Sequence, residues 1–446
     1  MFNRRQLLKG MLQGTPLLAL ASSVPQFLAR TALAAADTAA NKDRILVVVE
    51  LAGGNDGLNM LVPYGDDLYH KARRTLRIRK EDVIRIDDHV GLNPAMKPLE
   101  KLLADQHLAL VQGVGYPNPN RSHFEAMDIW HTADPNRRSR AGWLGQAVGL
   151  MPIAEGKVPA LNLNEDKLPL ALQGSPGGVP TVNPSHGFRL ELGTPEAQAT
   201  VSPYTPSIGD PPPHPASYYA NQTKATPGAD SVSIRKRLIR DLTAASLSGA
   251  GSMAEFVRRT ALETYSTADR LNAILAEVNR ENRGDADPLA RDLQAVAQMI
   301  DAEFGARVYF LSLSGFDTHI DQRKQQDALL GQLAGALNEF FETLLHHGHA
   351  DRVLLMTFSE FGRRVEENGS GGTDHGSASS MILAGGGVKG GLIGQPPNLG
   401  DLEDGDIKFH TDFRRVYATI LENWLKCDSR RVLGDAWEKL PLFRNA

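Results

Sequence analysis

The chain has 446 residues, 41% of them hydrophobic and 22% charged, with a formal net charge of −4. That balance suits a folded protein, and the lack of any basic stretch argues against nucleic acid as a partner. The single cysteine, Cys427, excludes an internal disulfide and any multi-cysteine zinc site.

Met1 to Ala34 reads as a leader rather than as part of the fold. Arg4-Arg5-Gln6-Leu7-Leu8-Lys9 fits the twin-arginine pattern, and Ala32-Leu33-Ala34 supplies a small-residue cleavage site. The apolar segment between them is short and broken by Pro16 and Pro25. A membrane anchor would need about 18 consecutive apolar residues, so no stable span is expected in the mature chain. The expected partner is the twin-arginine export machinery, and the expected location is periplasmic or secreted.

Residues 35–446 read as one α/β domain with a mostly parallel central sheet flanked by helices. Arg44 to Leu51 is an almost pure apolar run, as in a strand buried on both faces. It feeds the turn Ala52 to Asn59, where Asp56 stands either in a plain Asn-Asp-Gly turn or in a metal position at the strand end. No GxGxxG and no Walker lysine accompany the glycines, so a nucleotide loop is unsupported. Met96, Leu99, Leu102 and Leu103 fall at helical spacing, and His107 to Val111 reads as a second buried strand. Beyond it, Ser122 precedes a helical pattern of Phe124, Met127, Ile129 and Trp130. The serine suits an N-cap, and the same field would ease formation of an alkoxide or binding of an anion.

Residues 134–303 read as an irregular and helical insertion, with the proline-rich Pro203 to Asp230 as a surface excursion. Val308 to Leu313 is another strand, ending near Asp317 and His319. A long helix follows from Asp321, and His346, His347 and His349 at its end read as a solvated C-terminal cap. The stretch Arg352 to Gly394 is the centre of the reading. A buried strand, Val353 to Met356, ends at Glu360, and a Gly-rich excursion carries Asp374 and His375 to a further apolar run, Met381 to Ala384. Ligands bind outside the carboxyl ends of strands in open α/β sheets. Parallel strands would therefore collect Asp56, Ser122, Asp317, His319, Glu360, Asp374 and His375 along one edge. Carboxylates and imidazoles together suit one or two divalent cations of the zinc, manganese, magnesium or calcium class. No fixed repeat is present, which excludes a solenoid.

The segments Glu50 to Asn59 (ELAGGNDGLN), Arg121 to Trp130 (RSHFEAMDIW), Gly315 to His319 (GFDTH), Ser359 to Arg363 (SEFGR) and Gly372 to Gly376 (GTDHG) resemble the twin-arginine-exported bacterial family called domain of unknown function 1501. That family is in turn similar to the alkaline phosphatase and sulfatase superfamily. The resemblance implies a three-layer sandwich and a metal-dependent hydrolase acting on a small anionic ester. Under it, Ser122 matches the nucleophile, and Asp317, His319 and His375 match one metal. Asp56 and Glu360 would hold a second metal or orient the first, and Asp374 would brace His375. Arg121 or Arg363 would contact the anion. Phe361, which cannot bind a metal, stands where the superfamily has a ligand, and this supports the alternative of a catalytically inactive binding or assembly protein.

Overall fold

In the computed structural model, which describes residues 44–136, 138–151, 158–164, 167–175, 178–184, 269–281 and 287–444, the apolar run after the leader forms β1, Ile45–Ala52. The other strands of its sheet are β2 (Leu108–Gly115), β3 (Ala160–Asn162), β4 (Val308–Ser314), β5 (Val353–Phe358), β6 (Ser379–Ala384), β7 (Gly391–Ile393) and β8 (Thr411–Asp412). Their order across the sheet is β7-β2-β6-β5-β1-β4-β3, with β8 also pairing with β2. The leader and most of the predicted insertion, Pro203 to Asp230 included, lie outside the described residues. Among the described residues, no helix is long and apolar enough to cross a membrane.

The first helices, α1 (Gly57–Met60), α2 (Asp67–Ala72) and α3 (Glu100–Ala104), are short. Strand β1 alternates between two cores, as the two-residue period of a strand requires. Val47, Val49 and Leu51 face a cluster containing α6 (Pro288–Asp301) and α7 (Gln322–His346), while Leu46 and Val48 face one containing α4 (His123–Thr132), α5 (Trp143–Leu150) and α8 (Phe413–Thr419). Helices therefore cover both faces, and the fold is α/β with a mostly parallel sheet. Leu330, Leu333, Leu337, Phe340, Phe341 and Leu344 form the buried stripe of α7. Each such side chain contributes about 1.5–3 kcal/mol when fully buried.

Every pairing in the sheet is parallel except those of β6, which runs antiparallel to both β2 and β5. This reversal matters for the edge. The carboxyl ends of β1, β4 and β5 are level, with Ala52 opposite Ser314 and Glu50 opposite Phe358. Because β6 runs the other way, the segment that precedes it, rather than the one that follows, reaches the same edge. Asp374 and His375 arrive there for that reason.

The histidines after α7 do more than solvate a helix end. His347 Nδ1 and His349 Nε2 lie 3.0 and 3.1 Å from Asp301 Oδ1, joining the ends of α6 and α7. Slight burial pushes the Asp301 carboxyl up, but His349 and His347 outweigh it and hold it below its usual value. A depressed carboxyl stabilises the fold above the unfolded value of about 3.9 and loses that contribution as pH falls through the lower folded value. The group is half exposed, so the effect stays below about 1 kcal/mol. Asp301→Asn is expected to lower the melting temperature by about a degree near neutral pH, and by nothing in acid strong enough to protonate the carboxyl. Thermal scans at both pH values check this, and an equal loss at both would refute it.

Candidate metal centre

The loop after β1 begins with Gly53 and Gly54, whose φ angles are +120° and +79°. A Cβ on Gly53 would stand 2.4 Å from the backbone nitrogen of Asp317, and one on Gly54 would stand 2.3 Å from the Phe361 ring. The glycines thus let the loops after β1, β4 and β5 meet without intervening side chains.

Glu360 follows β5 and is 2% exposed. Its Oε1 accepts from Gly53 N at 2.8 Å and sits 2.9 Å from His123 Nδ1, while Oε2 lies 3.0 Å from Ser359 Oγ. Burial pushes the Glu360 carboxyl up, but these donors, His123 first, outweigh it and keep it low. In return the Glu360 hydrogen bond raises the pKa of His123. The carboxylate accepts the Nδ1 proton and leaves Nε2 of neutral His123 with a free lone pair. That nitrogen lies 3.5 Å from Asp317 Oδ2.

The other two histidines are held in the same way. His375 Nδ1 is 2.9 Å from the carbonyl of Arg121, which can only accept, so its proton sits on Nδ1. His319 Nδ1 is 3.3 Å from Asp374 Oδ1. The Nε2 atoms of His319 and His375 then approach each other to 3.0 Å, and each stands near Asp317 Oδ1, at 3.0 and 3.1 Å. Burial lowers the His375 pKa, disfavouring the proton that would otherwise relieve two facing lone pairs. Burial also works against the charge on Asp317, yet the hydrogen bond from Arg363 and the contact with the His375 imidazole outweigh it and bring the carboxyl to about 2.

His123, Asp317 and His375 offer ligand atoms that all lie within 4.8 Å of one another, and His319 joins through the contacts above. Bonds of about 2.0–2.1 Å to a tetrahedral ion imply donor spacings of about 3.3 Å; the contacts of Asp317 with the three histidines and of His319 with His375 are 3.0–3.5 Å, and the His123, Asp317 and His375 atoms spread to no more than 4.8 Å. Three imidazoles and one carboxylate suit zinc or another nitrogen-taking transition ion better than magnesium or calcium, which prefer all-oxygen sites. Histidines oriented through their second nitrogen by an oxygen acceptor are the usual surroundings of such an ion. The donor set fits a divalent metal.

Several predicted residues take other places. Asp56 caps the short helix Gly57–Met60 through the amides of Leu58 and Asn59, and its Oδ2 is bonded by the buried Arg73 and by Gln322. Its oxygens are thereby committed, and it does not join the cluster as a ligand. Glu360 orients His123, and Asp374 lies against His319 rather than bracing His375. Arg363 is wholly buried and donates to the carbonyls of Gly53, Gly54, Phe316 and Thr373 and to Asp317, so it does not present itself to an anion. Arg121 pairs with Asp406. Ser122 is exposed at the start of α4, and its hydroxyl makes no capping bond. Its chain neighbours both touch the centre, Arg121 through its carbonyl and His123 through its ring. Phe361 packs beside both, with ring centroids 5.0 Å from His123 and 4.6 Å from His375.

His123, in the segment RSHFEAMDIW, is not marked as a ligand by the sequence pattern. Its signal was its place one residue past a helix start that itself follows a strand end. A separate cavity of about 390 Å³, lined by Lys389, Leu392, His410 and Arg415 among others, lies at the β7 edge and includes none of these groups.

Residues 235–435 match the family described as Protein of unknown function (DUF1501), which supports the family likeness over that part of the chain. His123 lies outside the matched range, whereas Asp317, His319 and His375 lie within it. No curated protein matches the sequence. Among solved structures, the chain is similar to Ps i-CgsB at 11% identity and a TM-score of 0.34, over 88% of this chain and 74% of that one. It is similar to Ps i-CgsB in complex with k-i-k-neocarrahexaose at 11% identity and a TM-score of 0.35, over 89% and 75%. At such scores nothing of their chemistry transfers.

Proposed function

We propose that this protein is an exported, metal-dependent hydrolase of phosphate or sulfate esters. The observation that carries the reading is the convergence of three histidine Nε2 atoms on Asp317 while each Nδ1 is spoken for by an oxygen. Bare nitrogens facing one another at 3.0 Å are unfavourable unless a cation or a proton sits between them. A divalent ion there would polarise the ester and ease ionisation of an attacking hydroxyl. Ser122 is the nucleophile of this reading, because its hydroxyl is uncommitted and its two neighbours touch the centre. His123, Asp317, His319 and His375 hold the metal, and Glu360 and Asp374 fix the tautomers. The export part rests on the Arg4-Arg5 motif alone, and cell fractionation tests it.

Ser122→Ala in zinc-loaded protein is expected to keep its metal and to lose turnover of phosphate and sulfate esters by about a thousandfold or more. Undiminished turnover with metal content preserved would exclude Ser122 as nucleophile. A second reading, a metal-holding binding protein without turnover, is favoured by one observation: both arginines expected at the anion are already engaged, Arg121 by Asp406 and Arg363 by backbone carbonyls. A bound equivalent of zinc with no activity across an ester panel would select it.

A further inference from the structure

We infer that the site accepts esters whose alcohol part carries an apolar body of several carbons, seated against Phe124 and Ile320. This rests on the hydrolase reading for its chemistry, but the observation behind it is separate. Among the described residues, the most exposed large hydrophobic side chains are Phe124 at 80% and Ile320 at 60%, ahead of Leu345 and Leu68. The two most exposed each follow directly a histidine of the centre, His123 in one case and His319 in the other.

One exposed apolar residue needs no explanation. Here two stand on separate elements, each next in sequence to a histidine of the centre. On α4, Ala126, Ile129 and Trp130 are buried on the side turned away from Phe124, while His131, two turns further on Phe124's own side, is buried against Phe310 and Phe358. Phe124, in the first turn, is left exposed. Ile320 is fixed on its other side. The Ile320 carbonyl accepts from Gln325 Nε2 at 2.8 Å, Asp321 adopts a left-handed φ of +48°, and Gln322 N donates to the carbonyl of Gly371 at 3.0 Å. His123 and His319 are linked through Asp317 by contacts of 3.5 and 3.0 Å, so the two apolar residues follow backbone positions that meet at one carboxylate. A ligand whose anionic end reached Asp317 and the histidines would lay its other end across them.

The test uses zinc-loaded full-length protein and straight-chain alkyl phosphates and sulfates from ethyl to octyl, below their micelle concentrations. The leaving alcohols differ little in acidity, so chain length reports contact rather than intrinsic reactivity. We expect kcat/KM to rise about two- to fourfold per methylene until the rim is covered, and the double variant Phe124→Ser/Ile320→Ser to flatten that slope. A flat slope in the parent protein, or an unchanged slope in the variant, overturns the inference. So does a fall in melting temperature with the slope intact, which would mean that the chain itself covers these side chains. If no ester of any length is turned over, the hydrolase reading fails and the rim is read by calorimetry. Octyl phosphate binding more tightly than ethyl phosphate, with the difference lost in the double variant, supports the inference, and equal or absent binding overturns it.

Discussion

Supplied with zinc, the protein is expected to bind about one equivalent and to melt several degrees higher than the chelated protein, whereas His375→Ala and Asp317→Ala lose both effects. The size follows from linkage: at a free zinc concentration of about 100 times Kd, binding to the folded state alone adds about 2.7 kcal/mol. His375 is the sharper probe. Its Nε2 contacts both His319 Nε2 and Asp317 Oδ1, so its removal takes away a donor and breaks the cluster's geometry. Asp317 supplies the negative charge that balances the cation, and replacing it leaves imidazoles alone. Glu360→Gln should be intermediate, because the residue orients the ligand His123 through Nδ1 and is not itself a ligand. Loss of such an orienting partner costs about 10–100-fold in metal affinity. Graded loss in the order parent, Glu360→Gln, His375→Ala is the expected pattern in competition titrations. Equal zinc content in all three, or none in the parent, would refute the centre.

Five of the sheet's eight strands were legible because they are continuous apolar runs, whereas Gly391–Ile393, Thr411–Asp412 and Ala160–Asn162, the last within the expected insertion, are too short to show one. Direction was not. Met381 to Ala384 carries no mark of running antiparallel, yet that reversal brings Asp374 and His375 to the working edge. Asp317, His319 and His375 could be read because they stand just beyond or before such runs. His123 could not, since its segment also reads as an ordinary helix start. Asp56 misled for a physical reason. An acid in a Gly-rich turn at a strand end suits a metal, and its actual partner Arg73 lies in a stretch with no pattern of its own. Phe124 was counted into the apolar stripe of α4 although the helix turns it to the opposite side. Buried charges such as Arg73 and Arg363 are the least legible class, because a guanidinium in a sequence gives no sign of what will satisfy it.

Arg363→Met is expected to destabilise the fold by about 3–5 kcal/mol, the usual result of removing one partner from a buried charged network. The Arg363 side chain has no exposed surface. Its nitrogens reach Gly54 O at 2.7 Å, Thr373 O at 2.9 Å, Phe316 O at 3.0 Å and Asp317 Oδ1 at 2.7 Å, with Gly53 O as a further acceptor. These acceptors belong to the loop after β1, the loop after β4 and the excursion between β5 and β6. One planar group therefore ties together three glycine-containing loops, and methionine would leave buried carbonyls unpaired at about 1–3 kcal/mol each. Lysine is a poor substitute, because a single ammonium cannot spread its donors across the span of a guanidinium. Arg363→Lys should thus recover only part of the loss. Denaturant melts of zinc-free protein isolate this effect, since the metal contributes nothing there. His375→Ala should leave the zinc-free melt nearly intact, whereas Arg363→Met should lower it even before metal is added. If Arg363→Lys melts with the parent protein, the backbone bonds are not what holds the loops, and the glycine contacts between them would have to do so alone.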